Sequence, residues 1–304
     1  MKKITLFFTV LVFVLGLAII SCTKQFTETP PAITTATDAV LVDNTAGDLT
    51  GLIDNYTLLN PTVFVDPTLK ATTADPLPSI GLALDNCATV SFVKTPTVAA
   101  NVVTGATIKF TIDFGTTGCV GKDGKARRGT IVNTFTWVKE GGWSRQSILD
   151  MYVSDVHYIG YLNSTYGVTG TNKHAYLTEA AALAVTEKDG TKKTWNSNRQ
   201  RELMEGNGGI AAVKIWKITG SSGFTNAAGE KSTYTITNPL YSTSNCKGFV
   251  AGTVVTVSAA NVTTTIEYGT FTNYADAVKC KDGFTITVPG TSGAPAVTRF
   301  VKFI

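Results

Sequence analysis

The chain has 304 residues, of which 43% are hydrophobic and 16% charged. This is enough apolar sequence to bury a sizeable core, which excludes disorder along the whole chain. The formal net charge is only +4, and the basic residues form no long cluster, so the composition excludes a typical nucleic-acid-binding surface.

The N-terminus has the pattern of an export signal. Lys2 and Lys3 precede an uncharged apolar stretch, residues 4–20, and Ser21-Cys22 follows it. A small residue directly before a cysteine at this point resembles the lipobox of bacterial lipoproteins. We therefore expect residues 1–21 to be a signal peptide and Cys22 to carry a lipid that holds the protein to a membrane. An ordinary signal peptide or an uncleaved anchor is the alternative.

The next segment, residues 22–80, is rich in Thr, Ala, Pro and Asp. Its composition predicts a tether between the lipid and a folded body. Residues 48–56 could hold a helical turn within it, although Gly51 disfavours a helix there.

From about residue 81 to residue 304, short runs of Val, Ile, Thr, Phe and Tyr alternate with polar residues. This period of two predicts strands. Lys-Asp-Gly occurs at 122–124, 188–190 and 281–283, and Asp-Gly favours tight hairpin turns. Residues 177–185, rich in Ala and Leu, are the best helical candidate and fit a strand equally well. We predict an all-β domain with a mainly antiparallel sheet, either a sandwich or an open meander, and one short helix at most.

An internal echo links residues of about 85–135 to those of about 245–290. Each copy holds a cysteine, a Thr-Ile-acid-aromatic-Gly segment (111–115 and 265–269), a second cysteine and an Asp-Gly turn. The echo predicts two related halves of one continuous sheet.

Four cysteines remain beside Cys22, and four allow three pairings. Export favours disulfides, and the sequence spacing favours the local pairs Cys87–Cys119 and Cys246–Cys280. Because no two of them have C-x-x-C spacing, we expect no zinc site, and we expect no other metal or cofactor.

The lipobox, the block from Thr111 through Cys119 to Ile131, the strand 216–220 and the tail from Cys246 to Cys280 together resemble a family of uncharacterised lipoproteins from Bacteroidetes-type bacteria. The resemblance covers most of residues 85–304. It implies an outer-membrane lipoprotein with a β fold, leaves open which side of the membrane it faces, and implies no catalytic residues.

Two carboxylate arrangements could support catalysis. Asp113 and Glu267 occupy equivalent positions in the echoed halves, and a glycosidase needs two carboxylates. Asp155 and His157 alternate along one predicted strand and would share a face. A carbohydrate-active enzyme that uses either pair is our alternative hypothesis.

Trp143 and Trp195 lie in polar, loop-like contexts. Exposed tryptophans form platforms for sugars or proteins. Our main hypothesis is therefore a non-catalytic, lipid-anchored envelope protein with a binding, adhesive or structural role, whose partner is a glycan or an envelope protein.

Overall fold

The computed structural model describes residues 31–59, 88–121, 124–138, 142–169, 174–205, 215–243, 246, 248–273, 279–290 and 295–303. The predicted signal peptide, Cys22 and Cys87 lie outside these residues. In the part of the chain that is described, no helix is both long and apolar enough to cross a bilayer.

One helix and fourteen strands make up the described fold. The helix is α1 (Pro31–Leu59). The strands are β1 (Thr89–Ala99), β2 (Val102–Asp113), β3 (Cys119–Val120), β4 (Ala126–Val138), β5 (Gly142–Val153), β6 (Val156–Thr169), β7 (His174–Thr186), β8 (Lys192–Glu205), β9 (Ile215–Thr225), β10 (Lys231–Thr243), β11 (Phe249–Ser258), β12 (Thr263–Gly269), β13 (Gly283–Val288) and β14 (Val297–Lys302).

The strands form a single antiparallel sheet in which nearly every strand pairs with the next one along the chain. The order runs from β1 to β14, and β3 leaves this path by pairing only with β4. The predicted fold class is confirmed, and of the two predicted arrangements the open meander is the right one. Residues 177–185 belong to β7, so the helical interpretation of that stretch is wrong and the strand interpretation is right.

The internal echo corresponds to two strand ends. Phe114 directly follows β2 and Tyr268 is the second-last residue of β12, and both rings are buried. The glycine after each aromatic, Gly115 or Gly269, has a positive φ of 71° or 114°, which favours glycine over other residues. The repeated motif therefore ends a strand in the same way in both halves.

The helix α1 occupies a stretch that composition assigned to the tether. Residues 31–59 are helical, and the apolar side chains of α1 pack into the same core as those of the sheet. Pro31 suits the first helical position. The hydroxyls of Thr37, Thr45 and Thr50 donate hydrogen bonds to carbonyls one turn earlier in the helix, so these three hydroxyls have an acceptor within α1.

The sheet curves around α1. The helix backbone approaches β8 and β11 to β13 most closely, while its side chains also reach β4 and β5. Inward-facing glycines permit this curvature. At Gly129 and Gly160 a side chain would collide with the backbone of the neighbouring strand, and both glycines have positive φ angles. The strands between the two edges thus have an inner face toward α1 and an outer face toward solvent, whereas the edge strands β1 and β14 are largely exposed on both faces.

Candidate functional site

The inner face of the sheet holds α1 through buried ion pairs. Every charged residue of α1 is acidic. Each of its four aspartates pairs with a cation of the sheet or its loops: Asp38 with Lys193, Asp43 with Arg199, Asp48 with Lys125 and Arg127, and Asp54 with Arg145 and Arg201.

Two of these aspartates, Asp43 and Asp54, form deeply buried ion pairs. Arg199 donates two hydrogen bonds to the carboxylate of Asp43, at 2.6 and 2.9 Å, which is the bidentate geometry that makes such pairs strong. Asp54 lies between Arg145 and Arg201, and the Arg201 bond is 3.0 Å long. Arg145 also donates a hydrogen bond to the hydroxyl of Ser164, and Arg201 donates one to the carboxylate of Glu179. These contacts fix both the position and the rotation of the helix.

Burial alone would raise the pKa of Asp54, because an apolar environment disfavours the charged form. Arg145 and Arg201 outweigh this effect and hold the pKa of the Asp54 carboxyl below its ordinary value. Burial likewise opposes ionisation of Arg199, and Asp43 outweighs it and raises the pKa of that guanidinium. These groups therefore keep their charges inside the core.

Trp195 belongs to this interior. Its indole is 4% exposed, and it lies with Asp43, Arg199, Tyr234 and Tyr268 around a small cavity beside α1. The expectation that Trp195 lies exposed in a loop is wrong, because it occupies an inward position of β8 opposite Leu183. Burial raises the pKa of Tyr268 well above its ordinary value.

Trp143 is half-buried at the start of β5. Its ring stacks on Tyr166 at a centroid distance of 5.5 Å and contacts Phe135 at 5.1 Å. One part of the indole completes the core and another part meets solvent. Contact between Trp143 and a ligand stays a prediction.

The outer face of β5 and β6 carries an exposed apolar cluster, which we call the Tyr161 patch: Ile148, Ile159 and Tyr161. Ile148 lies opposite Tyr161 in the register of the two strands, and Ile159 lies two residues before Tyr161 on the same face. Their exposed fractions are 45%, 48% and 38%. Large apolar side chains clustered on an outer surface are typical of interaction sites.

Polar and aromatic residues border the Tyr161 patch on one side. Arg128, Tyr152 and His157 lie side by side across β4, β5 and β6. The guanidinium of Arg128 lies 3.8 Å from the centre of the Tyr152 ring, and His157 stacks on Tyr152 at 4.1 Å. His157 Nε2 lies 2.8 Å from Asp150 Oδ1. An apolar centre with a hydrogen-bonding rim is the usual composition of a binding surface.

The Asp155–His157 pair of the alternative hypothesis is not formed. Asp155 lies in the turn between β5 and β6 and not on a strand. Its carboxylate accepts a hydrogen bond from Lys188 at 2.7 Å, while His157 pairs with Asp150. The alternation rule fails because the turn interrupts the strand before Val156.

The second pair, Asp113 and Glu267, is also kept apart. Asp113 ends β2 and accepts a hydrogen bond from the backbone N–H of Gly115, and Glu267 is exposed on β12. Strands β4 to β11 lie between them in the sheet. Strand pairing therefore does not make Asp113 and Glu267 neighbours in the sheet.

The cysteines follow the predicted pattern where the structure describes them. Cys246 and Cys280 form a disulfide, as predicted. Cys119 is disulfide-bonded as well. Its predicted partner Cys87 lies outside the described residues. Within the described ranges, no group of three His, Cys, Asp or Glu side chains is arranged to hold a metal ion.

Sequence reasoning missed both the inner ion pairs and the Tyr161 patch. A signal for the first was present, because residues 31–59 contain four aspartates and no basic residue. A signal for the second was the run Tyr158-Ile159-Gly160-Tyr161, which places large apolar side chains on both faces of one strand. Comparison with family models, with curated proteins and with solved structures finds no match to this chain.

Proposed function

We propose that this chain is a lipid-anchored protein of the bacterial outer membrane with a non-catalytic binding or adhesive role, and that its contact surface is the outer face of β4 to β8. The Tyr161 patch carries this proposal. Its apolar side chains stay exposed although the core beneath them is filled by α1, so their exposure is explained best by an external partner.

The anchor rests on the N-terminal pattern. Residues 1–21 would direct export, and the lipid on Cys22 would hold the folded domain at a membrane. Only eight residues separate Cys22 from Pro31 in sequence, so the lipid would keep the first residue of α1 within about 30 Å of the bilayer. A partner in the cell envelope fits this placement.

Replacing Cys22 by alanine tests the anchor. We expect the wild-type protein to fractionate with membranes and the variant to appear in a soluble fraction, because the variant lacks the thiol that carries the lipid. Cys119 is buried and disulfide-bonded. Gel electrophoresis of the lysate without reductant therefore checks that the variant has formed its disulfides and is folded. Membrane retention of a correctly processed Cys22→Ala chain contradicts the lipoprotein assignment.

The contact surface is tested by co-sedimentation of the purified mature chain, as its Cys22→Ser form, with isolated cell envelopes. The paired change Ile148→Thr with Tyr161→Thr removes the apolar centre of the patch and keeps β-favouring residues. We expect about a tenfold loss of envelope binding, since side chains at the centre of an interface dominate its affinity.

Phe300→Thr is the matched control, because Phe300 is also exposed on this sheet, at 55%, but lies on β14. It should leave binding unchanged. Equal binding by wild type and the Tyr161 patch variant, with both folded, contradicts the proposed surface.

A further inference from the structure

The outer face beside the Tyr161 patch carries rows of uncharged polar side chains that run across the strands. Register aligns Ser144 with Thr165, Thr165 with Thr178, and Thr178 with Gln200. A second row lies two residues away on each strand, which is the next position on the same face. It holds Gln146, Asn163 and Asn198, with Ala180 between the last two. We call these two rows the neutral band.

Most side chains of the neutral band face solvent, and Asn163 is half-buried. All four members of the first row are exposed, and so are Gln146 and Asn198 in the second. Neighbouring strands lie about 4.8 Å apart, so each row presents hydrogen-bonding groups over about 14 Å. The band is therefore broad enough for an extended ligand lying across the strands.

Among the described residues of this face, the charged side chains lie beyond the band. Glu202 and Lys217 pair at 3.5 Å beyond the first row. On the other side, beyond Ile148 and Tyr161, come Asp150 and His157. A polyanion would need clustered cations and a basic ligand clustered carboxylates, so this surface matches an uncharged partner.

The combination of side chains on this surface further restricts the chemical class of the partner. Amide side chains carry both hydrogen-bond donors and acceptors, as do the hydroxyls of Ser and Thr. They therefore suit a ligand rich in hydroxyl groups, because each hydroxyl can both donate and accept a hydrogen bond. Tyr161 and Ile148 lie directly beside the second row and offer an aromatic and an aliphatic surface for the apolar face of a sugar ring. We propose that the neutral band and the Tyr161 patch together bind a neutral polysaccharide. This inference rests on the proposed function and names the chemical class of its partner.

Affinity electrophoresis tests the proposal. The folded mature chain, as its Cys22→Ser form, is run in native gels that contain one soluble neutral polysaccharide each: galactomannan, glucomannan, xyloglucan or mixed-linkage glucan. Polygalacturonate serves as the anionic comparison. We expect at least one neutral polymer to retard the protein.

The double variant Asn198→Ala with Gln200→Ala removes two amides of the band. It should weaken that retardation about tenfold, as the loss of two hydrogen bonds implies. Thr233→Ala with Thr263→Ala, at exposed outer positions of β10 and β12, is the matched control and should bind as wild type does. Melting temperatures confirm that both variants are folded.

Three results overturn the inference: no retardation by any neutral polymer, retardation by polygalacturonate alone, or equal retardation of the band variant and wild type. If the Tyr161 patch variant still loses envelope binding under any of these results, the proposed function stands and only the glycan assignment fails. If the patch variant binds envelopes normally as well, both fail.

Discussion

Replacing Asp54 by alanine is expected to lower the free energy of unfolding by about 3–5 kcal/mol. The change leaves two buried cations, Arg145 and Arg201, without the carboxylate that neutralises them. Glu179 still accepts a hydrogen bond from Arg201 at 2.9 Å, so most of the cost falls on Arg145. Urea denaturation monitored by tryptophan fluorescence measures the loss.

Asp155→Ala is the matched control, since it removes a carboxylate whose ion pair with Lys188 is fully exposed. We expect no measurable change in stability there. An Asp54→Ala protein as stable as wild type would show that the ion pairs do not hold α1 in the sheet.

The contribution of Asp54 to the free energy of unfolding also depends on pH. Its pKa is lower in the folded chain than its ordinary value of 3.8, so the unfolded chain binds the proton more readily. The stabilisation is therefore fully present above the unfolded pKa and is lost as pH falls toward the folded pKa. The stability difference between wild type and Asp54→Ala should be constant near neutral pH and should shrink below about pH 4.

The second large expected effect is the loss of the disulfide between Cys246 and Cys280. The two cysteines are 34 residues apart, and the entropy of closing such a loop in the unfolded chain corresponds to about 3.5–4 kcal/mol. We expect the double variant Cys246→Ser with Cys280→Ser to lose this amount of free energy of unfolding. Urea denaturation would show the loss as a midpoint at a lower urea concentration.

Treatment with reductant gives the internal control. It should destabilise the wild type by more than the double variant, because it breaks the disulfide of Cys119 in both proteins and the Cys246–Cys280 bond only in the wild type. If the double variant unfolds at the wild-type urea concentration under oxidising conditions, the disulfide does not constrain the unfolded chain.

The sheet was predictable from sequence because its signal is local. Alternation along β4 and along the second half of β11 reflects one buried and one half-buried face, and the Asp-Gly at 189–190 marks the hairpin between β7 and β8. The Cys246–Cys280 bond followed from spacing in the same way. Each of these features is decided by residues close together in the chain.

The helix was not predictable by the same means. Because α1 is enclosed by the sheet, its buried residues lie around its circumference and give no amphipathic stripe. Gly47, Gly51 and several threonines lower its intrinsic helix propensity. Burial of residues such as Leu49 and Ile53, together with the ion pairs, outweighs that propensity.

The site residues depend on register, which the sequence alone leaves open. Asp150 meets His157 because β5 and β6 pair as they do, whereas Asp155 is nearer to His157 in sequence. Trp195 was expected at the surface because its neighbours are polar. Those neighbours occupy the outer face of β8 or, like Arg199, pair inside the core.

The central claim is that the outer face around Tyr161 is the contact surface. Hydroxyl-radical footprinting of the mature chain, with and without isolated cell envelopes, tests it most directly because oxidation reports the exposure of individual side chains. We predict that envelopes protect Tyr161, Ile148 and Ile159 while leaving Phe300 on β14 as reactive as before. Unchanged oxidation of the Tyr161 patch under conditions where the protein is bound would contradict the claim.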